Sequence, residues 1–179
     1  MNVLGIDPGQ GGGLAVVYAD RSVEAWPMPQ TELDLWELLR RFKQPSEKGT
    51  WIKAYLERVS SAPGMGSTGA FSFGSNFGAI RMGLAAARIP FEMVSPHVWQ
   101  KGYALPPLPK VPPAPGKRAT ADEVDGWKKA KQARNKAQRE KKNALKARAQ
   151  ELWPSIRITH AIADALLIAE WGRRKEVHE

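Results

Sequence analysis

The chain has 179 residues, 42% of them hydrophobic, so it is long enough for one hydrophobic core and short for two. The absence of cysteine excludes disulfides and thiolate metal sites. The N-terminus has no cationic start followed by an apolar run, and no apolar run approaches about 20 residues. We therefore expect a soluble cytoplasmic protein with no membrane span.

The net charge of +9 is concentrated in one stretch of the chain. From Trp127 to Ala149 there are ten cations and one anion, Glu140, so the remaining residues are together neutral. A solvated helix face usually carries both signs, and that reading remains an alternative here. The near-absence of acids favours a polyanionic partner, with nucleic acid first and an anionic membrane second.

The first part of the chain predicts strands and one helix. Residues 2–7, 13–18 and 22–26 are short apolar or β-branched runs separated by turn residues, which is typical of a three-stranded meander. Residues 31–42 have apolar positions at helical spacing, with the threonine at position 31 as N-cap. Residues 51–59 form another apolar run, and we expect a strand there.

The second part of the chain alternates between predicted regular structure and connecting segments. In chain order we expect a Gly/Ser-rich loop at 60–78, a small-residue helix at 79–88, a strand at 91–95, a stiff proline-rich linker at 104–116, a basic helical segment at 127–150 and an apolar helix at 158–171. A meander followed by alternating helices and strands predicts a single α/β domain, residues 1–179, with a mixed sheet flanked by helices.

Three carboxylates lie in strongly apolar sequence. Asp7 follows VLGI, Glu57 follows AYL, and Asp164 lies within HAIADALLIAEW. A buried, unpaired carboxylate costs several kcal/mol, so each of them needs a partner. Glu92 in IPFEMV is a fourth candidate, but alternation along its strand can turn its side chain outward.

These carboxylates are expected to converge. Strands that end at Asp7 and Glu57 can lie side by side, and Asp164 would come from the last helix, with His160 four positions earlier on the same face. Gathered like charges attract divalent cations, and two such ions support phosphodiester cleavage. Ordinary alternatives remain: Asp-Pro-Gly as a plain turn, Glu57 paired with a neighbouring cation (Arg58 or Lys53), and His160 as a hydrogen-bonded helix residue.

Four sequence blocks together resemble one family. GIDPG, YLERV followed by a Pro-Gly-rich FSFG loop, VSPHVWQK and ADALLIAEW occur in the order seen in RuvC-like Holliday junction resolvases of the RNase H-like superfamily, closest to the phage type. The resemblance covers most of the chain except the proline-rich linker and part of the basic segment. GIDPG alone also begins sugar kinases and other actin-like ATPases, but this chain is too short for their second domain.

The resemblance implies an RNase H-like fold and a homodimer that nicks opposed strands of a four-way DNA junction, using two divalent ions per site, Mg²⁺ or Mn²⁺. By motif, Asp7 matches the first acid, Glu57 the second and Asp164 the last. The family commonly has an acid three residues before the last one, where this chain has Ala161. His160 is our substitute for that missing ligand. The four catalytic and metal-binding candidates are therefore Asp7, Glu57, His160 and Asp164.

Other residues are candidates for DNA contacts. The three phenylalanines of the predicted loop could stack on unpaired bases, or equally cover the neighbouring helix. Lys101, just after VSPHVWQ, could contact a phosphate, and an ordinary surface lysine is the alternative. The DNA-binding candidates are Phe71, Phe73, Phe77, Lys101, Lys128, Lys131, Arg134 and Lys142. The alternative function is a non-catalytic basic DNA-binding protein on the same scaffold. A phage-encoded protein would act in the cytoplasm of the bacterial host.

Overall fold

The computed structural model describes residues 1–43, 51–59, 66–103, 105 and 107–178. The elements in these residues, in chain order, are β1 (Asn2–Asp7), β2 (Gly13–Val17), β3 (Val23–Pro27), α1 (Glu32–Arg40), β4 (Ile52–Glu57), α2 (Ser67–Ala86), β5 (Phe91–Val94), α3 (Pro96–Gln100), a 3-10 turn (Lys101–Tyr103), α4 (Ala121–Leu152) and α5 (His160–His178).

The strands form one mixed sheet. In the described part of the chain it has five strands in the order β3-β2-β1-β4-β5. The meander β1-β2-β3 is antiparallel, as predicted, while β4 pairs parallel with β1 and β5 parallel with β4. The central strand β1 is therefore paired on both edges. The mixed α/β sheet predicted from the sequence is confirmed.

Each face of the sheet has its own apolar core. Along β1, Val3 contributes to the core beneath α5, whereas Leu4 and Ile6 contribute to the core beneath α1 and α2. This division follows from the alternation of side chains along a strand. Both faces are covered, so β1 reads as a continuous apolar run.

Helix α5 lies unusually close to the sheet because two strand residues lack side chains. A Cβ atom at Gly5 would overlap the carbonyl oxygen of Ala165, and a Cβ at Gly13 would lie 2.6 Å from the carbonyl oxygen of Ala161. Both obstacles are backbone atoms of α5, which cannot turn aside as a flexible side chain can. The two glycines therefore set the height of α5 above β1 and β2.

Helix α2 begins earlier in the chain than the sequence predicted. The segment 67–78 was predicted to be part of a loop, but α2 begins at Ser67; residues 60–65 of that predicted loop lie outside the described residues. Glycine and serine have low helix propensity, yet Ile80 and Leu84 of α2 are fully buried against the sheet, and Phe77 packs at the edge of the same core. Tertiary packing therefore outweighs the local propensity.

Helix α4 has 32 residues and is about 48 Å long at 1.5 Å per residue. Its N-cap Thr120 forms a capping box with Glu123. Its buried residues are Leu145 and Ala149, near the C-terminal end, where it packs against α5. Residues 121–144 thus extend as an arm beyond the core.

The described part of the proline-rich linker, 105 and 107–116, has neither helix nor strand. It contacts the arm, because Arg134 donates a hydrogen bond to the carbonyl oxygen of Pro109 at 3.2 Å. Residues 104 and 106 of the predicted linker lie outside the described residues. No helix within the described ranges is both long and apolar enough to cross a lipid bilayer.

Candidate active site

Asp7 and Glu57 meet at one end of the sheet. Parallel pairing of β1 with β4 places Ile6 opposite Leu56, so the two acids that end these strands are neighbours, as the sequence predicted. The turn after Asp7 is tight, and a Cβ at Gly12 would overlap the carbonyl oxygen of Asp7. Glycine at position 12 therefore permits β2 to return directly beside the carboxylate.

Asp164 joins these two acids from α5. It lies in the second turn of the helix, where the close approach over Gly5 and Gly13 brings α5 down onto β1 and β2. Its charge acts on both strand acids, Asp7 and Glu57. His160 is the first residue of α5 and is exposed to solvent.

Burial raises the pKa of all three carboxyl groups, and repulsion between the acids adds to the rise for Asp7 and Glu57. Burial raises the pKa of Asp7 to about 8, and the charges of Glu57 and Asp164 add to the rise. Burial also raises the pKa of Glu57 and of Asp164; for Asp164, the charges of Lys142 and His160 oppose the rise. The cluster therefore lacks sufficient positive charge of its own to ionise fully near neutral pH.

Asp7 and Glu57 lie close enough to perturb each other: contact with Glu57 raises the pKa of Asp7, and contact with Asp7 lowers that of Glu57. Among the described residues, no three or more His, Asp or Glu side chains form a group that could hold a metal ion as they stand. Metal binding here would therefore require these side chains to rearrange around the ion.

The donor chemistry of the cluster nevertheless fits a hard divalent cation. Three carboxylates offer the oxygen ligands that Mg²⁺ and Mn²⁺ prefer. Burial raises their pKa values more than the nearby cations lower them, and a dication would supply the further positive charge that favours the ionised forms. The candidate ligands are Asp7, Glu57 and Asp164, with His160 close to Asp164.

Trp99 is a site residue that the sequence analysis did not identify. Its indole N–H donates to Oε1 of Glu57 at 2.8 Å, and its ring is fully buried. This hydrogen bond lowers the pKa of Glu57 against the larger effect of burial. The available signal was a tryptophan within VSPHVWQK, but its partner is 42 residues away in the chain.

The charges of two adjacent lysines of α4 act on the carboxylates. The charge of Lys142 lowers the pKa of Asp7 and of Asp164, and the charge of Lys141 lowers that of Glu57 and of Asp164. Lys141 is half-buried and Lys142 is exposed. Lys142 was predicted as a DNA contact; Lys141 was missed, although its position four residues before buried Leu145 places it on the inner helix face.

The three candidate phenylalanines have different surroundings on α2. Phe71 is 78% exposed. The ring of Phe73 lies 3.4 Å from the position that a Cβ of Gly9 would occupy, so it packs on the turn after Asp7. Phe77 packs against the core beneath α1 and α2. Of the three, Phe71 therefore has the freest ring surface.

The candidate cations occupy two locations. Lys101 is exposed in the 3-10 turn that follows α3. Lys128 and Lys131 are exposed on the arm, and Lys131 Nζ lies 4.8 Å from the ring centroid of Trp127. Arg134, also on the arm, is half-buried by its contact with the proline-rich segment. Glu92, the fourth acid considered, pairs with Lys175 at 2.8 Å outside the cluster.

A mixed sheet with helices on both faces, and acids at the ends of two adjacent strands and on the last helix, defines an RNase H-like α/β fold. No protein-family model and no curated protein sequence matches the chain.

Solved structures of RuvC resemble it along nearly the whole length. Thermus thermophilus RuvC in complex with Holliday junction substrate matches with a TM-score of 0.55 and 19% identity over 98% of this chain and 96% of that chain. Thermus thermophilus RuvC alone matches with a TM-score of 0.51 and 17% identity over 98% and 97%. The chain therefore has the RuvC-like fold that its motifs predicted.

Proposed function

We propose that this protein is a metal-dependent endonuclease that resolves four-way DNA junctions by paired, symmetric nicks. The observation that carries the proposal is the meeting of Asp7, Glu57 and Asp164, from β1, β4 and α5, with raised pKa values on a RuvC-like scaffold. Perturbed carboxylates gathered at one edge of a sheet are typical of catalytic sites.

In this proposal each residue of the cluster has a distinct task. Asp7, Glu57 and Asp164 would hold two Mg²⁺ or Mn²⁺ ions, with His160 as a further ligand. The chemistry that such ions supply is activation of water and stabilisation of the leaving oxygen at a phosphodiester. Trp99 orients Glu57 through its indole N–H.

The proposed substrate is branched DNA. One structural neighbour is RuvC with Holliday junction substrate, and the exposed lysines of the arm supply the charge that binds phosphates. Lys142 belongs to the arm's basic segment and also acts on the carboxylates. DNA whose phosphates contact the arm would therefore lie close to the carboxylate cluster.

We further propose that the protein acts as a homodimer, because symmetric nicks need two sites that face one junction. The exposed face of α2 supports this. Among the described residues, no atom lies within 4 Å of a Cβ placed at Gly74 or Gly78, and Met82 on the same face is 66% exposed. Exposed glycines within a helix cost about 1 kcal/mol each relative to alanine, and close packing of a second helix would offset that cost. Light scattering with and without junction DNA tests this; a monomer in both conditions would contradict it.

The decisive experiment for the nuclease is cleavage of a labelled four-way junction beside linear duplex and flap controls, with Mg²⁺ or Mn²⁺. Asp7→Asn and Asp164→Asn should abolish cleavage and leave junction binding intact or tighter, since each removes an oxygen anion that faces phosphate. Cleavage near the wild-type rate by either variant would show that its acid is not catalytic. A wild-type protein that binds junctions but never cuts them would favour the non-catalytic alternative.

A further inference from the structure

An open groove of about 350 Å³, lined by both polar and apolar side chains, begins at Gln10, three residues after Asp7. It is bounded by the turn after β1, the segment that leads into α1, and the first half of α2. Its polar lining includes Gln10, Gln30, Glu32 and Asn76, and the exposed ring of Phe71 stands at its edge. The volume is within the range of small-ligand sites.

The groove is attached to the turn that carries Asp7. The backbone N–H of Gly9 donates to Oδ1 of Asn76 at 3.1 Å, which ties α2 to this turn. Gly9 has φ of 105°, a conformation that glycine adopts readily, and Gln10 follows it into the groove lining. A DNA strand with one phosphate at Asp7 would therefore have an adjoining nucleotide at this groove.

The lining chemistry suits a nucleobase better than a phosphate. Among the residues that the structure describes, no lysine or arginine lines the groove, and Glu32 would repel a phosphate. Side-chain amides pair with the donor and acceptor edges of bases, and an aromatic ring offers a stacking face.

Hydrogen bonds within the protein fix the orientation of two of these side-chain amides. Gln30 uses an N–H to donate to the carbonyl oxygen of Met28 at 3.2 Å, and Asn76 uses its oxygen to accept from Gly9. Among the described residues, the oxygen of Gln30 and the NH₂ of Asn76 have no other recorded partner. The groove thus presents one fixed acceptor and one fixed donor.

We propose that this groove receives a nucleobase displaced from the stack next to the cleaved phosphate, and that Gln30 and Asn76 read its edge. Displacement is required because an amide pair can reach the full edge of a base only when the base leaves its partner. The inference rests on the proposed nuclease function. It adds a source of sequence preference that is separate from recognition of junction shape.

The test is the distribution of cleavage sites on four-way junctions with randomised bases around the crossover. Wild type should prefer particular bases beside the cut, and Gln30→Leu should reduce that preference about tenfold, the effect of losing one good amide–base contact. Gln132→Leu removes an exposed amide on α4, outside the groove, and should keep the wild-type preference. Even cleavage of all sequences by wild type, or an unchanged preference in Gln30→Leu, would overturn the proposal.

A binding measurement separates this inference from the proposed nuclease activity. Wild-type protein in EDTA is mixed with junctions that carry 2-aminopurine beside the crossover, whose fluorescence reports unstacking and new stacking. We expect a fluorescence change on binding that Phe71→Leu alters. If no junction is cut, the nuclease proposal fails and this signal alone decides the groove: no change would overturn it.

Discussion

The indole N–H of Trp99 donates to Oε1 of Glu57 at 2.8 Å, and both side chains are buried. The bond connects α3 to the end of β4. A neutral donor of this kind favours the ionised carboxylate without neutralising its charge, and here it opposes the larger effect of burial on the pKa of Glu57.

Trp99→Phe tests this relationship because it removes the N–H while keeping an aromatic ring. Loss of a hydrogen bond that orients a metal ligand typically costs about 10- to 100-fold in metal affinity or activity. We therefore expect the Mg²⁺ concentration for half-maximal cleavage to rise by about that factor. Trp36→Phe, on the opposite face of the sheet, is the matched control. An unchanged Mg²⁺ requirement in Trp99→Phe would mean that the bond serves only packing.

The pH dependence of stability should reflect the raised pKa of Asp7. The pKa is 3.8 in the unfolded reference and about 8 in the folded protein, so between these values the folded state binds more protons. The free energy of unfolding of the metal-free protein should therefore fall as pH rises through this range. Urea unfolding in EDTA at several pH values measures the slope. Asp7→Asn should flatten it, and a slope as steep as that of wild type would contradict the shift.

His160 should influence the choice of metal. Magnesium favours oxygen ligands, whereas manganese tolerates nitrogen better, so activity with Mn²⁺ should at least equal that with Mg²⁺. His160→Asp should shift the ratio of the two rates toward Mg²⁺. His97→Asp makes the same change at an exposed residue of α3 and should leave the ratio unaltered. If the ratio in His160→Asp equals that of wild type, His160 is not a ligand.

The arm should contribute to DNA affinity through its charge alone. Each phosphate neutralised adds about 0.9 to the slope of log affinity against log salt for duplex DNA. Replacing the exposed cations Lys128, Lys131 and Arg139 with glutamine, a good helix former, should flatten the slope by roughly 2 to 3 units. Fluorescence anisotropy over a range of KCl concentrations measures this.

Arg134→Gln is the internal comparison for the arm. Because Arg134 donates to Pro109, its loss should loosen the proline-rich segment and change the salt slope by less than about 1 unit. A triple variant with the wild-type slope would show that the basic segment is a solvated helix. DNA affinity would then have to arise elsewhere.

The close approach of α5 predicts a strong effect of Gly5→Ala. The added Cβ would overlap the backbone of α5 at Ala165, so the helix must move outward and carry Asp164 with it. Overpacking of this kind costs about 1–3 kcal/mol, and cleavage should fall more than junction binding. Gly126→Ala on the exposed arm places its Cβ more than 4 Å from every atom of the described residues and should be neutral or slightly stabilising. Equal stability of wild type and Gly5→Ala in urea would contradict this packing.

Much of this fold could be predicted because local signals and tertiary packing agree. The apolar run before Asp7 predicts a strand buried on both faces, and Thr31 caps α1 as expected. Strand-terminal acids were expected to meet, and the parallel pairing of β1 with β4 brings Asp7 and Glu57 together. These inferences needed only periodicity, capping and the ends of strands.

Other features depend on contacts between distant residues, which local patterns do not encode. Helix α2 begins within a Gly/Ser-rich stretch because its apolar residues find a core there, although the spacing of Phe77, Ile80 and Leu84 already hinted at a helix. The Trp99–Glu57 bond and the raised pKa of Asp7 arise from such distant contacts as well.

The concentration of charge on α4 also makes the molecule an electric dipole. Because residues 127–149 carry the whole net charge of +9, the field of a polyanion exerts a torque that turns the arm toward it before contact. The buried carboxylates, which alone would be repelled, then arrive at the base of an arm that is already engaged. The positions of those lysines and arginines therefore determine the orientation of the protein during diffusion as well as its affinity after contact. The orienting effect weakens as added salt shortens the Debye length, which is about 10 Å at 0.1 M.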